Sequence, residues 1–245
     1  MHATTTNGSV DSLQLRARSV SFALVARILG PDTTWLTDPD TVSALRSAIE
    51  AAGDRAALRR LDLLDGAPVP DQAVLAGRWV RWFDLGRVAP YEGSNVASTA
   101  GGVTPRLADI AGFYRAFNAS VPHDRPDHVV AQLEFLALSL LTEAEAIERG
   151  DDDVVEVAAR ATRSFLRDHI GGWIDAWAAR VGAIDELAPW FPFAAVAADL
   201  VRREAAIRNV IPLRDPAALP ADAGVAADEE AIMGCEDSLD SDLLP

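Results

Sequence analysis

The stretch PDHVVAQLEFLALSLLTEAEAIERG, from Pro126 to Gly150, carries the clearest periodicity in the chain. Leu133, Leu136, Leu140 and Ile147 recur at spacings of three, four and seven, the repeat of one helical face. Proline is tolerated in a first helical turn and glycine past the last one. The pattern therefore predicts a long helix opened by Pro126 and stopped by Gly150.

Working outward, the same period recurs on both sides. Asp151-Asp152-Asp153 begins another helix, with Val154, Ala158, Ala161, Phe165 and His169 on one stripe. Gly171-Gly172 bends or divides it before Trp173 and Trp177, and a last helix follows Pro192, from Phe193 to about Arg208. Upstream, Thr104-Pro105 starts a helix reaching Phe117. Asp71 caps one carrying Val74, Trp79, Trp82 and Phe83, ending at Gly86. Further helices are expected over Asp54 to Leu64, from Asp40 to Gly53, and on the stripe Leu13, Val20, Leu24 and Ile28. Two stretches break the pattern, Arg87 to Val103 and Ser120 to Asp127. No segment alternates with period two. The expectation is an all-α fold, a single globular domain of eight or nine helices over residues 12–212. A disordered leader, 1–11, precedes it, and an acidic tail expected to be disordered, 213–245, follows.

Composition narrows the function. The chain has 245 residues, with 37 acidic against 22 basic side chains and a formal charge of −15. Nine of the acids lie beyond Arg214, where no basic residue occurs, so much of the charge belongs to the tail. All the basic residues are arginine. A negative field repels phosphate backbones, which argues against a nucleic-acid partner. The single cysteine, Cys235, excludes a disulfide framework within the chain. The longest uncharged apolar run, Leu187 to Ala198, falls well short of the roughly 20 residues of a membrane span. A soluble cytoplasmic protein is expected. There is no Gly-Lys-Ser phosphate loop and no Gly-x-Ser-x-Gly elbow, and few groups suit acid–base chemistry. These features favour a binding protein over an enzyme, with neither cofactor nor metal.

Two clusters carry candidate chemistry. On a helix opened by Pro126, Asp127 and Glu134 lie seven residues apart on one face, and His128 and Gln132 are neighbours four apart. They could instead serve the helix itself, an acid in the first turn complementing its dipole. The second cluster is Trp79, Trp82 and Phe83, followed by Pro90-Tyr91-Glu92. Three large rings at that spacing are more often core than site, but their position just before a long Gly- and Pro-rich loop favours an apolar groove for a peptide. His169, Trp173 and Trp177 are better read as a core histidine among aromatics. A metal-dependent phosphohydrolase built on His123, Asp124 and His128 is the enzyme alternative. A general helical adaptor binding through Trp79 to Tyr91 is another.

Taken together, Trp79-x-x-Trp82-Phe83, Pro90-Tyr91-Glu92-Gly93-Ser94, Phe113-Tyr114-Arg115-Ala116-Phe117, Pro126-Asp127-His128 and Gln132-Leu133-Glu134-Phe135-Leu136 resemble the TorD/DmsD/NarJ family of molybdoenzyme maturation chaperones. Phe165, His169 and Trp173 are similar to its penultimate helix. The family's usual Glu-Leu-Glu-Phe-Met is here Gln132-Leu133-Glu134-Phe135-Leu136. The resemblance implies a TorD-like fold. It also implies a non-catalytic role: binding the N-terminal, often twin-arginine, leader or apo form of a molybdopterin oxidoreductase catalytic subunit, assisting cofactor insertion and delaying export. Trp79, Trp82, Phe83, Pro90, Tyr91, Asp127, His128 and Glu134 would then line the leader site. The aromatic residues would take its apolar stretch, and Asp127 and Glu134 its arginines. The chaperone would act as a monomer or homodimer.

Overall fold

The computed structural model describes residues 4–66, 68–97, 102–121 and 125–213, with side chains from residue 11 onward. Among these residues the regular elements are helical, and the one β pairing is an isolated antiparallel bridge between Tyr91 and His128. The α-helices are α1 (Thr4–Ile28), α2 (Thr34–Thr37), α3 (Pro39–Ala52), α4 (Arg55–Leu61), α5 (Gln72–Trp79), α6 (Glu92–Asn95), α7 (Thr104–Ala116), α8 (Val129–Arg149), α9 (Asp152–Asp168), α10 (Ile174–Gly182) and α11 (Phe191–Ile207). The all-α expectation holds. α1 begins inside the segment expected to be a disordered leader.

Local chemistry explains most of the boundaries. Asp38, Asp54 and Asp151 cap α3, α4 and α9, each carboxylate accepting from backbone N–H groups in the first turn. α3 is thus capped by Asp38, two residues ahead of its expected start at Asp40, with Pro39 in its first turn. Gly53 and Gly150, both left-handed, end α3 and α8. α8 starts at Val129, three residues later than its sequence suggests. His128 is extended, and its Nδ1 accepts the Val130 N–H at 3.1 Å, so the histidine is the cap.

α8 runs along the centre, packed against α1 on one side and α9 on the other, while α11 contacts α1, α4, α9 and α10. Trp173, Trp177, Trp190, Phe22, Phe165 and Phe193 are the largest fully buried side chains among the described residues. α1 turns inward only part of the stripe expected. Ile28 is buried and Leu24 packs against the core, but Leu13 and Val20 are exposed, and Leu15, Phe22, Val25 and Ala26 face the core instead. Both stripes have helical spacing; the inner one places Ser19 where its hydroxyl donates to the Ala137 carbonyl of α8 at 2.7 Å.

Of the pairs Arg59-Arg60 and Arg202-Arg203, Arg60, Arg202 and Arg203 are structural, while Arg59 is exposed. Arg60 and Arg202 pair with the buried Asp199, and Arg203 donates to the carbonyls of Ala52 and Gly53 at the end of α3. A 3-10 turn, Ile170–Gly172, divides α9 from α10 as expected. The chain returns over it after α11, with the Leu213 N–H donating to the Arg167 carbonyl at 2.8 Å. A Cβ on Gly171 would collide with the Leu166 carbonyl oxygen and lie 2.9 Å from Pro212 Cγ, so only glycine permits that crossing.

Candidate functional site

α5 does not continue as an α-helix through Phe83. Val80–Asp84 forms a π-turn, with the Leu85 N–H reaching the Val80 carbonyl at 2.9 Å. The wider turn separates three rings that α spacing would align. Phe83, 3% exposed, enters the core against Trp79, Trp177 and Trp190, with ring centroids 6.0, 6.1 and 5.9 Å away. Trp82 points elsewhere: its indole N–H donates to Glu186 at 3.0 Å, and Arg81 and Arg87 stand over its ring. Trp79 is half-buried, and its indole nitrogen has no hydrogen-bond partner among the described residues. Of the three rings, Phe83 is a packing residue, and Trp79 and Trp82 keep partial exposure.

The segment expected to be a long loop is tied down at its centre. Trp177 donates to the Val88 carbonyl, the Val129 N–H to the Pro90 carbonyl at 2.7 Å, and the Glu92 N–H to the Asp127 carbonyl at 2.9 Å. Two backbone stretches about 35 residues apart thus pair around Tyr91 and His128, whose rings meet edge to face at 5.0 Å. Asn95 folds back to the carbonyls of Ala89 and Tyr91.

Asp127 and Glu134 do not share a helical face, because Asp127 precedes α8. Asp127 is 0% exposed. Both its oxygens are held by Arg125, at 2.9 and 2.7 Å, and the Gly93 N–H donates to Oδ2 at 2.9 Å. The Arg125 guanidinium also stands 4.6 Å from the Tyr91 ring centroid. The fit at Gly93 is tight, since a Cβ would lie 2.9 Å from Val103 Cγ1 and 3.1 Å from both Arg125 and the Asp127 carboxylate. The Gln132 N–H donates to the His128 carbonyl at 3.0 Å, while the His128 ring accepts from Val130 and the Gln132 amide serves Glu92 and Trp173.

Beneath Tyr91 lies a buried polar network that sequence spacing does not bring together. Glu92 accepts from Gln132 at 2.6 Å, approaches His169 Nδ1 at 3.3 Å, and lies 3.5 Å from the Arg106 guanidinium. Gln132 Oε1 in turn accepts the Trp173 indole N–H at 3.2 Å. His169 Nε2 is 3.2 Å from Asp109, and its ring packs against Phe113 and Phe165. The core-histidine reading of His169 is therefore right as to packing. Its partner Glu92 escaped the sequence reading because no local spacing links residues 77 positions apart. The amide at 132 has a physical reason: it donates to one neighbour and accepts from another, which a second ionised carboxylate could not do.

Glu134 stands on the outer side of α8 beside a small groove of about 80 Å³, lined by Tyr114, Val121, Ala131, Phe135 and Leu138. The residue is exposed, yet the groove walls desolvate its carboxyl and raise its pKa. Tyr114 links this groove to the bridge: its hydroxyl donates to the Pro126 carbonyl at 2.6 Å. Burial, and then the charges of Glu92, Asp127 and Glu134, push that hydroxyl far above the ordinary tyrosine range.

The phosphohydrolase reading depends on His123 and Asp124, which lie outside the described residues. Among the described residues no group of three His, Cys, Asp or Glu side chains is placed to hold a metal ion. His128 is buried, with one ring nitrogen engaged as a helix cap. No described helix is long and apolar enough to cross a membrane.

Comparison with known proteins covers both clusters. Residues 47–179 match the family described as nitrate reductase delta subunit. The selenate reductase assembly chaperone protein of Thauera selenatis is 33% identical over 141 residues, covering 55% of this chain and 70% of that protein. The chlorate reductase assembly chaperone protein of Ideonella dechloratans is 31% identical over 125 residues, covering 48% of this chain and 63% of that protein, just under two thirds of its length. The family match takes in α4 to α9 and most of α10, the π-turn, the Tyr91–His128 bridge and the Glu134 groove. On that ground the chain belongs to the nitrate reductase delta subunit family, the NarJ/TorD type that its motifs resemble.

Proposed function

We propose that this protein is a cytoplasmic, non-catalytic chaperone for the catalytic subunit of a molybdopterin oxidoreductase. It binds that subunit's N-terminal leader, or its apo form, assists cofactor insertion and delays export. The observation that carries the reading is that the family match, residues 47–179, contains every candidate site residue from Trp79 to Glu134. The names of the two relatives, both assembly chaperones of reductases, support the same role.

The geometry supports a leader site with two kinds of wall. Half-buried Trp79, Trp82 and Tyr91 offer aromatic surface beside exposed Val80 and Leu85. A leader's apolar stretch can lie there without first breaking the core. The clamp on Asp127 and the Glu92 network hold Pro90, Tyr91 and His128 in place before binding, which lowers the ordering cost of association. Asp127 acts through that support, and Phe83 by packing beneath Trp79. The net negative charge favours encounter with a cationic leader.

The test is calorimetric titration with leader peptides of the molybdoenzyme catalytic subunits encoded beside the gene, paired with co-purification of the apo subunit. Binding to one leader, weakened by Trp82→Ala and Tyr91→Ala, is the expected result. A chaperone that captures the apo subunit but no leader would move the site elsewhere. Capture of neither would end the reading.

A further inference from the structure

A leader with paired arginines needs an acceptor for their charge, and the acids near the bridge differ sharply in what they can still accept. Asp127 is fully buried and already holds a bidentate guanidinium from Arg125 and the Gly93 N–H. Replacing one guanidinium by another there exchanges like for like and yields little net ion-pair energy. Glu92 is equally committed, to Gln132, His169 and Arg106. Glu134 differs from both. Among the described residues it forms neither a hydrogen bond nor an ion pair, and it sits at the mouth of an apolar groove of about 80 Å³.

We propose that the groove beside Glu134 is the subsite for one arginine side chain of the leader, the aliphatic stem lying along Tyr114, Ala131 and Leu138 and the guanidinium on the Glu134 carboxylate. This rests on the leader-binding reading and names the residue that reads the charge. An arginine suits the place in both its parts: a stem that packs on apolar surface and a planar head that meets a carboxylate bidentately. The unpaired carboxylate is partly desolvated in the free protein, a cost that a bound cation offsets. Tyr114 forms a wall of the groove and also bonds to Pro126, so the subsite adjoins Tyr91 and His128.

The experiment is a double-mutant cycle by calorimetry on the full chain. Wild type, Glu134→Gln and Asp127→Asn are each titrated with a twin-arginine leader peptide and with peptides carrying either arginine changed to glutamine. The expected result is that Glu134→Gln weakens the native leader about tenfold, or about 1.4 kcal/mol. That loss should vanish against one of the two single-arginine peptides, and Asp127→Asn should show no such arginine-specific coupling. Wild type, but not Glu134→Gln, should also release protons on binding in mildly acidic buffer. Leader binding that Glu134→Gln leaves unchanged for every peptide would overturn the subsite and leave the chaperone standing. Arginine-specific coupling at Asp127 instead would overturn it as well. Absence of leader binding by the wild type would remove the leader-binding reading, and the subsite with it. Thermal unfolding of each variant separates lost contacts from lost structure.

Discussion

Arg125 holds Asp127 through both arms of its guanidinium, at 2.9 and 2.7 Å, although the two residues are only two positions apart and differ greatly in exposure. The carboxylate is 0% exposed, while the arginine side chain keeps 44% of its surface in solvent. The pair joins the turn before α8 to α6, because the same carboxylate also accepts the Gly93 N–H.

That asymmetry makes the two partners unequal. Arg125→Ala leaves a buried charge with one backbone donor, and should destabilise the fold by about 1–3 kcal/mol. Asp127→Asn removes the buried negative charge, keeps an oxygen for Gly93 and leaves Arg125 over the Tyr91 ring, so it should cost about 1 kcal/mol or less. Urea unfolding of both variants decides. Equal losses would mean that the clamp does not act as described.

Gly93→Ala tests how tightly the bridge is closed. The new Cβ would press on Val103 and the Asp127 carboxylate, and overpacking of this kind costs about 1–3 kcal/mol. Amide exchange should quicken locally at Glu92 and Gly93. Unchanged exchange would show that the loop is held elsewhere.

Gln132→Leu removes the donor to Glu92 Oε2 and the acceptor for the Trp173 indole together, leaving one buried carboxylate oxygen and one buried N–H without these bonds, although Glu92 keeps His169 and Arg106. At about 1–3 kcal/mol for each, this should be among the most damaging single changes outside the aromatic core. Gln132→Glu, which restores the residue usual in the family, should behave differently. Two carboxyl groups in contact hold a shared proton, so that variant should lose stability as pH rises, relative to wild type. A pH-independent difference would count against the contact.

Glu134 should reveal its cost in the free protein. Desolvation raises its pKa in the folded state, so the folded protein holds this proton more tightly than the unfolded chain does. Stability from this group therefore falls as pH rises through the carboxylate range. Glu134→Gln should abolish that dependence and leave the melting temperature at neutral pH equal or higher. A clear drop would mean that the carboxylate stabilises the groove.

Phe83 and Trp82 should separate packing from binding. Phe83→Ala should cost about 3–5 kcal/mol, as a ring enclosed by three tryptophans is lost. Trp82→Ala, at a half-exposed ring, should cost much less by thermal unfolding but reduce leader binding. The reverse order would exchange their roles.

Much of this was legible in the chain. α8 from Leu133 to Gly150, α9 with its aspartate cap, and the division at Gly171-Gly172 follow from residues within each segment. The motifs pointed to the family that the comparisons support. The misreadings share a cause. The π-turn at Val80–Asp84, the inward stripe of α1 and the late start of α8 were settled by a distant segment choosing among locally acceptable options.

The sequence by itself determined where the helices lie, because a helix satisfies its backbone within one segment and its apolar period and caps are local. It also determined which residues carry charge and aromatic surface. Only the tertiary structure decided which of those charges remains free to meet a partner. Asp127, Glu92 and Glu134 are equivalent carboxylates as letters. Desolvation and pairing depend on what approaches from elsewhere in the chain: Gly93 for the first, Gln132 and His169 for the second, and an open apolar groove for the third.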